Sequence, residues 1–332
     1  MIRHELKKIT HYEFWPFWIY YIPMIPVYLK YVWKSGKWLY FTTVNPDMKY
    51  GGFFGYSKSE AQNMLPKEYL PESKSLLLSP NETLETPFEF PFIIKPDVGE
   101  RGKGVNVIYN QREWTAFTQQ HSGKYIAQHW YDSLHEFGLF FVKMPDAEKG
   151  KIVSITGKEF LIYHGDGEST LRQLIEENSR AYYRKAYLYL RFHDRLEEPL
   201  PAGEHLLLEE IGNHNRGTRF YDAGELWTQE LEDSLNHMLQ NIPNFCYGRL
   251  DVKAQNVESL KKGDFTVIEI NGANSEATHV YDTKYTLRQS YGEVKKHLQY
   301  QFEVAQQQLQ RGVRPESKRQ FLKDLFQHLT RH

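Results

Sequence analysis

Acidic and amide side chains lie within two apolar, strand-like stretches in the last third of the chain. The stretches are 247–252 and 265–270, and they carry Asp251, Glu269 and, directly after the second stretch, Asn271. Alternate residues of a strand point to the same face. Glu269 and Asn271 therefore share one face, and the apolar residues beside them point into the core.

A hairpin centred near Leu260 would bring these carboxylates together. In that pairing Asp251 and Glu269 lie almost opposite each other, where they repel unless a cation lies between them. Mg²⁺ bound by one or two carboxylates and by substrate phosphates meets that need. The alternative is a surface lattice of ion pairs with Arg249 and Lys253, which the apolar flanks of both strands disfavour. The pattern therefore predicts a magnesium site.

A glycine-rich loop with a neighbouring lysine forms the second candidate site. A buried strand ends at Lys95, the glycines are Gly99, Gly102 and Gly104, and a returning strand is predicted at 105–109. A fixed cation beside backbone N–H donors suits a polyphosphate. A Walker loop is excluded, because no Gly-Lys-Ser/Thr follows and the next element is a strand and not a helix. The glycines alone fit an ordinary irregular turn equally well.

Together and in this order, the two sites resemble the ATP-grasp superfamily, and within it D-alanine–D-alanine ligase and the cyanophycin and glutathione synthetase groups. The resemblance runs from about residue 55 to residue 285, with its strongest blocks at 92–107 and 248–271. It implies an α+β ATP-grasp fold in which two α+β lobes clamp the nucleotide. It also implies ATP and Mg²⁺ as cofactors, with Mn²⁺ as an alternative ion.

The resemblance further implies roles for individual residues. The nucleotide would be held by lysines, by the glycine loop, by a hinge strand beside the adenine and by an acid at the ribose: Lys58, Lys95, Gly99, Arg101, Gly102, Lys103, Gly104, Gln128, His129, Trp130 and Glu136. The implied metal ligands are Asp251, Glu269 and Asn271. The implied catalytic residues are Arg249, which would steady the transferred phosphate, and Arg216, with Arg219 as an alternative.

The activity implied is that of a carboxylate–amine (or thiol) ligase that forms an acyl phosphate. A small-molecule kinase and a non-catalytic nucleotide-binding scaffold are the alternatives. Dipeptide ligases carry a serine-proline-glycine turn where this chain has 272–276, so ligation of D-alanine is not expected. Glu276, His279 and Tyr281 are candidates for the replacement substrate pocket, and the substrates themselves are not identified.

The amino-terminal segment is unusually aromatic. No charged residue occurs in 14–29, which reads FWPFWIYYIPMIPVYL and is interrupted by prolines. A membrane span needs about 20 apolar residues, so we expect helices packed on the protein body or on a second subunit. Peripheral membrane contact through residues 12–33 is one alternative, and a groove for a hydrophobic substrate is another.

Three regions are predicted along the chain. They are the aromatic segment at 1–55, the ATP-grasp domain at 56–310, with lobes at 56–130 and 131–310, and a charged helix at 311–332.

Bulk composition limits the partners. The 332 residues carry a net charge of −1, so nothing favours binding to nucleic acid. The single cysteine, Cys246, excludes a disulfide framework and fits a reducing compartment. The expected location is the cytoplasm, with a membrane-peripheral position as the alternative.

Overall fold

The computed structural model describes residues 2–79, 84–99, 104–133 and 135–330. The strands are β1 (Ser73–Leu78), β2 (Phe92–Pro96), β3 (Asn106–Ile108), β4 (Gly123–His129), β5 (Glu136–Val142), β6 (Lys151–Glu159), β7 (Ile162–His164), β8 (His205–Leu207), β9 (Arg219–Asp222), β10 (Tyr247–Lys253) and β11 (Thr266–Asn271). The α-helices are α1 (Ile2–Thr10), α2 (Phe17–Tyr21), α3 (Ile25–Ser35), α4 (Lys58–Asn63), α5 (Gln111–Gln120), α6 (Leu171–Glu177), α7 (Ser179–Tyr182), α8 (Lys185–Arg191), α9 (Gln229–Leu239), α10 (Val257–Lys261), α11 (Leu287–Gln310) and α12 (Lys318–Thr330). The predicted α+β class is confirmed.

The first sheet has four antiparallel strands in the order β1-β4-β2-β3. Its core is aromatic, because Phe92 of β2 packs edge-on against Trp114 of α5 at a ring-centroid distance of 5.5 Å. Asn110 caps α5, and its side chain accepts a hydrogen bond from the Glu113 N–H. This sheet positions Lys95 on β2 and Gln128 on β4.

The second sheet has five antiparallel strands in the order β11-β10-β5-β6-β9. Its central strand β5 is buried along its whole length. Phe137, Leu139 and Phe141 contribute to the core that α9 covers, whereas Phe140 and Val142 contribute to the core that α11 and the amino-terminal segment cover. The sheet is therefore enclosed on both faces, as its continuous apolar sequence requires.

The predicted hairpin between β10 and β11 is confirmed. Asp251 pairs with Glu269, and Arg249 pairs with Asn271. The connection is not a simple turn, because it contains the short helix α10, which Asn256 caps by accepting from the Ser259 N–H. A register irregularity directly after Asp251 leaves the opposed pairing of Asp251 and Glu269 intact.

The amino-terminal segment packs on the protein body with one side of its helices. Tyr20, Met24 and Tyr31 are buried, and Tyr31 stacks on Phe302 of α11 at 4.5 Å between ring centroids. These residues repeat at helical spacing, so they form the inward side of α2 and α3. Among the helices of the described residues, none has the length and apolar character needed to cross a membrane.

One buried amide ties this segment to β10. The side-chain oxygen of Asn45 accepts from the N–H groups of Cys246 and Tyr247, at 2.8 and 3.0 Å. Its side-chain nitrogen donates to the carbonyl oxygens of Gly51 and Tyr247, at 3.0 and 2.7 Å. The segment is thus fixed to the beginning of the strand that carries Arg249 and Asp251.

Candidate active site

A cleft of about 450 Å³ lies between the two sheets. It brings together residues that are far apart in the sequence, and the predicted site residues on its wall are Lys58, Lys95, Gly99, Gln128, His129, Glu136, Arg249, Asp251, Glu269 and Asn271. Three further predicted residues, Gly104, Trp130 and Arg216, do not line it. Gly104 has a φ of +72°, and a Cβ there would lie 2.9 Å from the Pro96 side chain. The surroundings of Trp130 and Arg216 are described below. Arg101, Gly102 and Lys103 lie outside the described residues.

Asp251 accepts three side-chain hydrogen bonds within the cleft. Arg249 donates to both of its carboxylate oxygens, from Nε at 3.1 Å and from Nη2 at 3.0 Å. The side-chain nitrogen of Asn271 donates to it at 3.1 Å. Gly138, on the neighbouring strand, leaves room for the Arg249 side chain, since a Cβ there would lie 3.0 Å from the Arg249 Cδ. The pairing across β5, β10 and β11 therefore positions the predicted metal ligand and the predicted catalytic arginine as one unit.

Lys158 of β6 is a site residue that the sequence did not reveal. Its ammonium group contacts Glu136, which is opposite it in the β5–β6 register, and lies 3.3 Å from Asp251. Burial alone would lower the pKa of Lys158, but Asp251 and Glu136 outweigh it, and the pKa is raised. For Asp251, burial would raise the pKa, but Arg249 and Lys158 outweigh it, and the pKa is lowered. Lys158 and Asp251 are therefore both charged at neutral pH.

Glu269 is the more accessible carboxylate, with 33% of its side chain exposed. Its carboxylate lies 3.4 Å from the ammonium group of Lys58. Lys95 approaches the same strand from the opposite lobe and donates to the Ile268 carbonyl at 3.0 Å. Burial lowers the pKa of Lys95 to about 8, although the charge of Glu269 partly opposes this shift. Two lysines and one carboxylate therefore meet where the lobes face each other.

Lys58 owes its position to the beginning of α4. Ser57 caps this helix and accepts from the Glu60 N–H at 3.1 Å. The carboxylate of Asp97, just after β2, accepts from the Ser57 hydroxyl and from the Ser59 N–H at 2.9 Å. The Lys58 ammonium donates to the carbonyl of Gly99. The first turn of α4 is therefore fastened to the loop that follows Lys95.

The carboxylate and amide oxygens of the cleft suit a hard divalent cation as ligands. Asp251, Glu269 and Asn271 offer carboxylate and amide oxygens on paired strands, which is the ligand chemistry of Mg²⁺. The Asn271 side-chain oxygen accepts from the Tyr56 hydroxyl at 3.2 Å. Glu269 is the ligand most open to an ion, because Asp251 is already neutralised by Arg249 and Lys158.

Strand β4 carries a buried side-chain donor that has no partner within the described residues. Gln128 is buried, and among the described residues its side-chain nitrogen has no hydrogen-bond partner. A buried donor without a partner costs free energy. A ligand that supplies a hydrogen-bond acceptor to this nitrogen would remove that cost, and the edge of a nucleobase carries such acceptors. The neighbouring Trp130 is stacked under the ammonium group of Lys253 at 5.2 Å from the ring centroid.

The loop at 212–217 forms another part of the wall. A Cβ on Gly212 would lie 2.7 Å from a carboxylate oxygen of Glu136, so only glycine fits there without displacement. Burial lowers the pKa of His214 to about 3, which keeps its ring neutral. The Arg216 guanidinium donates to Glu209 and to the Val105 carbonyl at 3.2 and 3.0 Å, beside the strand that follows the glycine loop.

The far end of the cleft is aromatic and includes the amino-terminal segment. Phe14, Trp15 and Phe17 line it together with Phe220 and Tyr281. A groove for a hydrophobic substrate was one alternative for this segment, and tertiary packing brings its aromatic side chains to the wall of the cleft. Two of the residues considered for a substrate pocket, Glu276 and Tyr281, are in the wall, and the Tyr281 hydroxyl donates to Glu276 at 2.8 Å. The third, His279, is buried and directed towards Glu293.

Comparison with known proteins gives a partial structural likeness. No family model and no curated protein matches the sequence. Among solved structures, D-alanine–D-alanine ligase from Bacillus anthracis matches with a TM-score of 0.41 and 14% identity, over 75% of this chain and 66% of that chain. A bifunctional glutathione synthetase from Pasteurella multocida matches with a TM-score of 0.35 and 13% identity, over 73% and 36%. VanG D-Ala:D-Ser ligase from Enterococcus faecalis gives 0.39 and 12%, over 75% and 61%.

The three matched structures are those of ligases, and the likeness is partial. The chain spans 66% or less of the length of each of these structures. At such identities and TM-scores the likeness concerns the fold and does not extend to substrates or mechanism.

Proposed function

We propose that the protein is an ATP-dependent ligase that joins a carboxylate to an amine or a thiol through an acyl phosphate. The observation that carries this proposal is the meeting of Lys58, Lys95 and Arg249 with Asp251 and Glu269 in one cleft. Lysines from the first lobe suit the phosphates of ATP, and the carboxylates of the second lobe suit Mg²⁺. Bound there, Mg²⁺ would neutralise the negative charge of the phosphates.

The proposed reaction has two steps, and positioning and charge neutralisation carry both of them. A carboxylate oxygen of the substrate attacks the γ-phosphorus, the bond from that phosphorus to the β–γ bridging oxygen breaks, and ADP leaves. The nitrogen or sulfur of the acceptor then attacks the acyl carbon, phosphate leaves, and the acceptor loses a proton. Arg249 is held by the Asp251 carboxylate and by the Glu276 carbonyl, and its two remaining N–H groups, one on each Nη, would bind the transferred phosphoryl group.

The aromatic end of the cleft supports an apolar substrate. Phe14, Trp15, Phe17 and Phe220 line the cleft and offer ring surfaces beside its charged groups. Such walls bind by burying apolar surface. We therefore propose that the carboxylate donor or the acceptor carries an aliphatic or aromatic group, with its reacting end directed towards Arg249.

A screen for ADP release tests the proposed function. Carboxylates with apolar groups are incubated with ATP, Mg²⁺ and either amines or thiols, and ADP and free phosphate are both measured. Release of equal amounts of ADP and phosphate, together with the joined product, supports a ligase. A stable phosphorylated product without free phosphate would identify a kinase instead, and ATP binding without turnover across the screen would favour a scaffold.

Glu269→Gln is the matched test of the metal ligand. The variant keeps the side-chain shape but removes the negative charge, so we expect ADP formation to be abolished while the thermal unfolding curve stays similar. Glu258→Gln is the control, because Glu258 lies on α10 of the same hairpin with 72% of its side chain exposed. Full turnover by Glu269→Gln would refute the assignment of the metal site.

A further inference from the structure

Three metal-binding side chains converge outside the cleft. They are His279, from the turn after β11, and Glu293 and His297, which are four residues apart on α11 and therefore on one face of that helix. One ligand atom from each of the three lies within 4.8 Å of the others. His279 Nε2 and a carboxylate oxygen of Glu293 are 3.6 Å apart.

The two histidines lack the hydrogen bonds that buried rings normally have. His279 is 2% exposed and His297 is 4% exposed. Within the described part of the chain, neither ring nitrogen of His297 and only one ring nitrogen of His279 has a contact partner. Polar atoms so deeply buried are almost always paired. Two such rings side by side with a carboxylate form an arrangement that can bind a metal ion.

We propose that His279, Glu293 and His297 bind one Zn²⁺ ion. Two imidazoles and one carboxylate form a common three-ligand zinc set, with water at the fourth position. A tetrahedral ion about 2.0–2.1 Å from each ligand spaces the ligand atoms about 3.4 Å apart, so small side-chain movements suffice here. Glu293 is 30% exposed in its side chain, which leaves a solvent path to the fourth position.

The ion would link α11 to the wall of the cleft. His279 lies in a short 3₁₀ turn, Thr278–Tyr281, and two residues of that turn, Thr278 and Tyr281, line the cleft. A hydrogen bond from the Ser290 hydroxyl to the Val280 carbonyl, at 2.9 Å, already holds this turn to the helix. Zinc would add a second and stronger attachment, independent of the reaction in the cleft.

Zinc titration of the chelator-treated, metal-free full-length protein tests this site. Binding is measured by competition with a chromophoric chelator, and Co²⁺ is used as a second probe because its visible absorption reports tetrahedral coordination. We expect one Zn²⁺ per chain and a rise in the unfolding temperature. Glu293→Gln, which changes a partly exposed residue, should weaken binding about tenfold or more.

Two controls separate this site from other zinc-binding positions. Glu303→Gln changes another acid of α11, and His164→Ala removes one ring of the exposed His164–His205 pair on β7 and β8. Both variants should bind zinc as the unaltered protein does. Absence of zinc binding at micromolar concentrations, unchanged binding by Glu293→Gln, or loss of binding in His164→Ala would each overturn the proposal.

An independent observation concerns the outward side of the amino-terminal helices. Large apolar side chains repeat there every three or four residues, with exposed fractions of 44–82%: Trp18, Ile22, Ile25, Leu29 and Trp33. They lie opposite the buried Tyr20, Met24 and Tyr31. Exposed apolar residues in a continuous row mark an interaction surface; we call this row the apolar stripe.

The charged residues within the segment that carries the stripe are of one sign. Between Glu13 and Asp47 the sequence has no acidic residue, and Lys30, Lys34 and Lys37 are all exposed. Tryptophan at the ends of the stripe suits the boundary between lipid headgroups and acyl chains. Lysines beside an apolar helix face suit anionic headgroups.

We infer that the apolar stripe docks on an anionic lipid surface. A second copy of the chain would bring the same lysines against each other, whereas anionic lipids complement them. The docked helices would lie in the plane of the membrane, which agrees with their short length. Phe17, which precedes Trp18 of the stripe, is 39% exposed and also lines the cleft. Docking itself does not depend on the proposed ligase activity.

Co-sedimentation with vesicles tests this inference. Vesicles of phosphatidylcholine with phosphatidylglycerol should bind the protein, and vesicles of phosphatidylcholine alone should bind it much less. Trp33→Ser, at an 82% exposed position, should lower binding about tenfold, while Trp227→Ser, at a 45% exposed position elsewhere, should not. Equal binding to both vesicles, no binding, or a lipid-free dimer that Trp33→Ser converts to monomer would overturn it.

Discussion

Raising the pH from about 7 to about 9 should weaken nucleotide binding about tenfold, because Lys95 loses its proton in that interval. Burial lowers the pKa of Lys95 from 10.5 to about 8. The charged form is the one that attracts phosphate. About nine in ten Lys95 side chains are therefore competent at about pH 7, and about one in ten at about pH 9.

The apparent dissociation constant varies inversely with the competent fraction, which gives the tenfold figure. The terminal phosphate of a nucleotide loses its last proton near pH 6, so the ligand itself changes little over this range. Isothermal titration with a non-hydrolysable ATP analogue and Mg²⁺, at several pH values, measures the effect. Bound nucleotide should in turn raise the pKa of Lys95, so protons should be taken up on binding near pH 8.

Lys95→Arg is the control, because a guanidinium keeps its charge throughout this range. Its affinity should be nearly independent of pH, whatever its absolute value. A flat profile for the unaltered protein would refute the reasoning. So would a fall of the same size in Lys95→Arg, since another group would then be responsible.

Three further substitutions test the cleft. Lys158→Met should destabilise the protein by about 3–5 kcal/mol in urea unfolding, because Glu136 and Asp251 lose their shared buried cation; a loss below about 1 kcal/mol would contradict this. Gly212→Ala should lower nucleotide affinity, because its Cβ would lie 2.7 Å from the Glu136 carboxylate; unchanged affinity in titration would count against the close approach. Gln128→Leu should weaken ATP binding about two- to tenfold yet raise the unfolding temperature of the free protein, because it removes an unpaired buried donor; a lower unfolding temperature would disprove that account.

The hairpin of the candidate site was predictable from local pattern. Asp251 and Glu269 alternate with buried residues on two short strands, and strand alternation fixes which residues share a face. The connecting length between the strands then fixes the register closely enough to oppose the two acids. The short helix α10 inside the connection was not predicted, because its few residues have no clear helical repeat.

Lys158 could not be found in the same way. Its partner Glu136 is on another strand, and their contact depends on the register between β5 and β6. Nothing in the local sequence fixes that register. The same limit applies to Phe14 and Trp15, which reach the cleft only because the amino-terminal helices pack beside α11. Long-range packing, which local patterns do not specify, therefore supplies both the extra cation and the apolar wall.

The buried amide of Asn45 has a consequence for how such a protein can change. By pairing with the backbone of Cys246 and Tyr247, it makes the amino-terminal segment part of the support of β10. A shortened chain that begins at the nucleotide lobe would leave those N–H groups without a partner and expose the aromatic core beneath them. We expect the segment and the strand to be inherited, or transplanted into a chimera, only as a pair.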